Sequence, residues 1–135
     1  MMLANMRLVT NELSIKNNDL PDGQFECHPR FTRKMDRIDP KTAYTQLIVE
    51  IENSEEHPFP VNICVDVTGF FEITALPESQ IDSFLKEQAV QIIFPYVRSM
   101  ISSAMSAAMM PPLIIPIIDV RKVFQDEDSP KEPSE

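Results

Sequence analysis

The chain has 135 residues, the length of one domain, and 43% of them are hydrophobic, enough to build a core. Its 21 acidic residues outnumber 12 basic ones, and the resulting net charge of -9 opposes binding to a nucleic-acid backbone or an anionic membrane. With only 2 glycines, a glycine-rich phosphate-binding loop is excluded.

Residues 6–16 alternate at Leu13 and Ile15 against Glu12, Ser14 and Lys16, the period of a strand. Residues 17–30 carry Pro21, Asp22-Gly23 and Pro29 around a few apolar side chains, Leu20, Phe25 and Cys27. A connection of that length in a small domain is unusual and often functional. Residues 31–39 alternate less cleanly, through Phe31, Lys34 or Met35, and Ile38, and are read as a second strand. After a turn at Pro40-Lys41, residues 42–53 form a third strand with Leu47, Val49 and Ile51 on one face. Residues 54–58 make a polar hairpin loop. Residues 59–74 form a fourth strand with Val61, Ile63, Val65 and Val67 inward, interrupted at Gly69 by a bulge or a close backbone approach.

From Pro77 the period changes to that of a helix. Ser79 and Asp82 resemble a capping box, predicting a short helix over 79–86. A longer helix to about 109 follows, with three-to-four spacing through Val90, Ile93, Phe94, Val97, Ile101, Ala104, Met105 and Ala108. Pro95 either lies in its first turn or kinks it. The run after Pro111 is apolar but broken by prolines and is read as extended. Residues 119–124 are read as a short terminal helix capped by Asp119. The whole is an α+β domain over residues 1–124: a four-stranded antiparallel sheet, a long crossover, one long helix and a short C-terminal helix. Residues 125–135 hold Asp126, Glu127, Asp128, Glu132 and Glu135 against Lys131 alone and read as an acidic, disordered tail.

Chemistry is sparse. His28 adjoins Cys27, but neighbours in extended chain point apart, so adjacency makes no nucleophile–base dyad. His57 lies at a polar hairpin tip with too few ligands nearby for a metal. Cys27 and Cys64 fit no metal spacing. No catalytic residue, metal or cofactor is expected, and the chain is not read as an enzyme. A sheet-wrapped helix of the thioesterase kind would need a convergent acid or nucleophile, and none is identified. No signal peptide is recognised, and prolines at 111, 112 and 116 interrupt the most apolar stretch, so neither secretion nor membrane insertion is expected. A cytoplasmic protein with reduced thiols is the reading. Four of the 8 methionines, Met100, Met105, Met109 and Met110, gather on or just after the long helix, where they fill core or face varied apolar partners.

The segment Ile93-Phe94-Pro95-Tyr96-Val97-Arg98, followed by an apolar helix, resembles the SecB family of bacterial protein-export chaperones. That family typically shows Phe-Pro-Tyr-Ala-Arg there, and Val97 replaces the alanine. The proline-interrupted run from Met110 to Ile117, the strand at 8–16 and Gly69-Phe70-Phe71-Glu72-Ile73 are similar to further family segments. The resemblance implies a homotetramer, a dimer of dimers, with its long helices sandwiched between sheets. It implies apolar grooves that hold unfolded preproteins without ATP, and a handoff to the translocase motor SecA. Combined with the apolar pattern, it points to Leu20, Phe25, Phe31, Ile92, Met109, Met110 and Leu113 for client contact. It points to Val97, Ile101, Ala104, Met105 and Ala108 for oligomer packing, though the two sets can exchange roles. Glu12 matches an acidic SecA-contact position; Lys16, Asn62 and Cys64 depart from that pattern. Shorter SecB-like proteins include chaperones of toxin–antitoxin systems, so one dedicated client is an alternative. A structural or regulatory oligomer without an open groove is another.

Overall fold

The computed structural model describes residues 5–21, 23–111 and 120–124. Four antiparallel strands, β1 (Met6–Asn17), β2 (Arg30–Asp39), β3 (Thr42–Ile51) and β4 (Val61–Glu72), lie in the spatial order β1-β4-β3-β2. The first two strands therefore form opposite edges, and the crossover between them must travel the width of the sheet. That requirement explains its length.

The inner face is set by strict alternation. Leu47, Val49, Ile51, Ile63, Val65 and Val67 are buried beneath the helices, and each such side chain stabilises the fold by about 1.5–3 kcal/mol. The register pairs Ile15 with Ile63 and Val65 with Val49, placing matching apolar rows on one side. At Gly69 the close approach is the correct alternative: β4 runs on without a bulge, and an added Cβ would sit 2.9 Å from the Phe71 ring. The irregularity lies in β1 instead, between Thr10 and Glu12, where Asn11 is the extra residue. Its amide donates to Thr68 Oγ1 (2.7 Å) and Asp66 Oδ1 (3.0 Å). In β2 the inward positions are Phe31, Arg33 and Met35, and a register shift near the strand end leaves Ile38 exposed.

The helical arm comprises α1 (Glu78–Ser83), a π-helical stretch (Phe84–Gln88) and α2 (Ala89–Ala107). The expected Ser79 cap is not used: the helix starts one residue earlier, after Pro77, without a side-chain cap bond. Pro95 lies inside α2 rather than in its first turn. It has no N–H, so the carbonyl four residues back loses its usual intrahelical donor. The π-helical stretch also changes the hydrogen-bond pattern: the Ala89 N–H reaches five residues back to the Phe84 carbonyl. Two carbonyls in this stretch take donors from the sheet. Thr45 Oγ1 donates to Leu85 O at 2.9 Å, and Arg33 Nη1 donates to Lys86 O at 2.8 Å. The Arg33 guanidinium also sits over the Phe124 ring, 4.3 Å from its centroid, tying the end of a short helix, α3 (Val120–Val123), to β2.

Val97, Ile101 and Met105 require a correction. Expected at an oligomer interface, they are buried against the chain's own core. The spacing that suggested an interface is the spacing that packs α2 on its sheet. Ala104 is half-buried and Ala108 exposed, beside an outward row of Tyr96, Ser99, Ser103 and Ala107. The proposed cap Asp119, the client-contact candidate Leu113 and the acidic tail 125–135 lie outside the described residues.

Candidate functional site

Where α2 ends, the chain's crossover passes across the start of β4 and leaves a groove of about 480 Å³. The crossover contributes Leu20, Pro21 and Phe25; the approach to β4 contributes Phe59 and Val61; the helix end contributes Met105, Met109 and Met110. The lining is thus largely apolar, and Asn17 contributes a polar side chain at its edge. Four expected client contacts, Leu20, Phe25, Met109 and Met110, come together here from segments far apart in sequence. Phe31 and Ile92 do not join them. Phe31 packs edge-to-face on Phe94 at 5.9 Å, and Ile92 is half-buried against the core.

Hydrogen bonds position the groove's near wall. The Asn18 N–H donates to Pro60 O at 2.9 Å, and its side-chain amide donates to Phe59 O (3.1 Å) and Asn62 Oδ1 (2.9 Å). Asn17 Oδ1 accepts the Asp19 N–H at 2.9 Å, an Asx turn that helps hold Asp19 at φ 53°. The far wall ends in a Schellman motif. Met109 N–H donates to Ser106 O (3.0 Å) and Met110 N–H donates to Met105 O (2.9 Å). That motif places its left-handed residue at Met109, φ 60°, where glycine is usual. A methionine there is 95% exposed at the groove mouth.

The histidines, separate in the sequence, meet in space. The His28 and His57 rings lie against each other with centroids 3.9 Å apart and planes tilted by 35°, and Glu26 Oε2 lies 3.2 Å from His28 Nε2. The contact joins the crossover to the β3–β4 loop beside Phe25. Among the described residues no cluster of three or more His, Cys, Asp or Glu side chains is arranged to hold a metal. No helix among them is long and apolar enough to cross a membrane.

On the outer sheet face, Glu12 and Asp66 occupy opposed positions, as do Lys16 and Asn62. The Cys64 thiol donates to Glu12 Oε2 at 2.9 Å. Burial, that bond and the charges of Glu12, Glu50 and Asp66 push the Cys64 thiol up to about 12. Burial also raises the pKa of Cys27. Both groups are therefore held as thiols rather than thiolates near neutrality.

Sequence reasoning missed Phe59 and Val61 as groove residues and assigned Met105 elsewhere. Pro58 and Pro60 mark a non-strand approach at Phe59, but only the tertiary structure brings that approach beside residues 20–25 and 105–110.

Comparison with known proteins places this architecture. The family described as preprotein translocase subunit SecB matches residues 8–131. The chain is 35% identical over 88 residues to the uncharacterized protein MJ0357 of Methanocaldococcus jannaschii, a match covering 63% of this chain and 57% of that protein. It is 25% identical over 134 residues to the protein-export protein SecB of Dichelobacter nodosus, covering 93% of this chain and 85% of that one. Among solved structures it superposes on the Mycobacterium tuberculosis SecB-like chaperone Rv1957 with a TM-score of 0.70 and 13% identity, covering 86% and 91% of the two chains. That structure holds a ChAD peptide from the Rv1956 HigA1 antitoxin. The likeness is one of fold.

Proposed function

We propose, from the premise that this chain belongs to the SecB family, that it is an ATP-independent holdase. Proteins of that family are chaperones, not enzymes. The observation that carries the reading is the open groove with Leu20, Phe25, Met109 and Met110 in its lining. An apolar surface left open at the end of a long helix suits extended apolar segments of an unfolded chain. Methionine is adaptable enough to accept segments of varied shape. Each contact is weak, but an oligomer offers several linked grooves, and linkage raises avidity by roughly 10²–10⁴. The net charge of -9 would keep loaded complexes soluble. Capture takes place in the cytosol under this reading. Homo-oligomers form through the outward row of α2 around Tyr96, Ser99 and Ser103, with Ala104 and Ala108 at its margin.

Light scattering on a sizing column tests this directly, with the protein alone and mixed with a slowly folding, destabilised preprotein. A stoichiometric complex that Phe25→Ser weakens supports the holdase. An oligomer that ignores unfolded chains defeats it. Delivery to SecA is the further step, with Glu12 as its contact on the outer face. A Glu12→Ala variant that bound SecA as the wild type does, or a wild type that never bound it, would remove that step. The fold likeness to Rv1957 supports a second reading, a chaperone of one dedicated client. Binding confined to one defined segment would favour it.

A further inference from the structure

We propose that Met109 is a reversible oxidation site through which peroxide closes the groove to clients, an inference that rests on the holdase reading. Met109 projects from the left-handed position of the Schellman motif and is 95% exposed, whereas of the other groove methionines Met110 is half-buried and Met105 is 4% exposed. Met6, the other methionine among the large exposed hydrophobics of the described residues, is 41% exposed and lies outside this groove. Oxidant therefore reaches the Met109 thioether before Met105. The cysteines compete poorly, because the thiolate is the reactive form and both thiols are held protonated.

The step balances with hydrogen peroxide as oxidant. A sulfur lone pair attacks one peroxide oxygen, the O–O bond breaks and an S–O bond forms. Sulfur is oxidised by two electrons, and the other oxygen leaves as water after proton transfer. The sulfoxide is polar and requires a hydrogen-bond donor when covered. Met109 faces a groove lined by Leu20, Phe25 and Phe59, whose side chains offer none. An apolar client segment seated over them would strip water from the sulfoxide, and only Asn17, at the groove's edge, offers a side-chain amide donor among the described lining residues. Methionine sulfoxide reductases remove the oxygen at the expense of a thiol pair, so the effect reverses.

The test uses the full chain and a fluorescein-labelled peptide of Leu, Phe, Ser and Lys, free of methionine and cysteine. Affinity is measured by anisotropy before and after hydrogen peroxide, and again after treatment with both reductases. Each protein is compared with itself, so any change that a substitution makes to the starting affinity drops out. Wild type is expected to lose affinity at least about tenfold, with the added oxygen mapped to Met109, an unchanged circular dichroism spectrum and recovery on reduction. Met109→Leu is expected to show little loss. Equal losses in both proteins, or no loss in wild type, overturn the proposal while leaving the holdase reading in place. Failure of untreated wild type to bind the peptide overturns both.

Discussion

The two ends of the helical arm meet the sheet in different ways. Near its start, Thr45 and Arg33 donate hydrogen bonds into the π-helical stretch, and Phe84 packs edge-to-face on Phe71 at 5.3 Å. Near its end, Met105, Met109 and Met110 face Leu20, Phe25 and Phe59 across an open groove. Directional bonds between buried partners fix one geometry, because leaving either partner unpaired is expensive. Apolar contacts are non-directional, so their partners can be exchanged for those of a client. Both kinds of contact occur on one continuous arm, so a rigid end can support an adaptable one.

The sharpest challenge to this contrast lies between the two ends. Ile101→Ala removes a fully buried side chain and is expected to lower unfolding free energy by about 2–5 kcal/mol in urea denaturation. Dissociation of an oligomer at unchanged protomer stability would return Ile101 to an interface. At the locked end, Thr45→Val leaves Leu85 O without its side-chain donor. The expected loss is about 1–3 kcal/mol, with unchanged client binding. At the open end, Phe25→Ala should weaken peptide binding about tenfold, or about 1.4 kcal/mol, while shifting the denaturation midpoint less than Thr45→Val. Equal midpoint shifts from the two would erase the distinction.

Met109→Gly should move stability and binding in opposite directions. Relief of the left-handed backbone raises stability by about 1 kcal/mol, and loss of the side chain weakens the groove. A variant that loses both would show that Met109 supports the fold. The last test concerns the outer face and is confined to alkaline pH. Because folding raises the Cys64 pKa from 9.0 to about 12, its protonated thiol contributes stability that is present below 9.0 and lost as pH rises towards 12. Unfolding free energy measured across that alkaline range should therefore fall more gently with pH in Cys64→Ser than in wild type.

Much of the fold was legible locally. Alternation at Val61, Ile63, Val65 and Val67, and three-to-four spacing through Ile93, Val97 and Ile101, assign strand and helix and say which side is buried. They do not say what covers that side. The spacing that reads as an oligomer seam is equally that of a helix lying on its own sheet, as Val97 and Ile101 do. The resemblance around Phe94-Pro95-Tyr96 supplied the architecture, and the family match over residues 8–131 agrees with it.

The candidate groove was half legible. Leu20 and Phe25 stand out as apolar residues in a long polar connection, and Met109 and Met110 as methionines past a helix. Phe59, the contact of His28 with His57 and the left-handed Met109 were not accessible in the same way. The sequence by itself determined period, polarity and the length of the crossover, since these are properties of neighbours along the chain. Only the tertiary structure decided which distant segments share the groove and which apolar side chains remain open. Those follow from the strand order β1-β4-β3-β2, which sends the crossover from one sheet edge to the other past the end of α2.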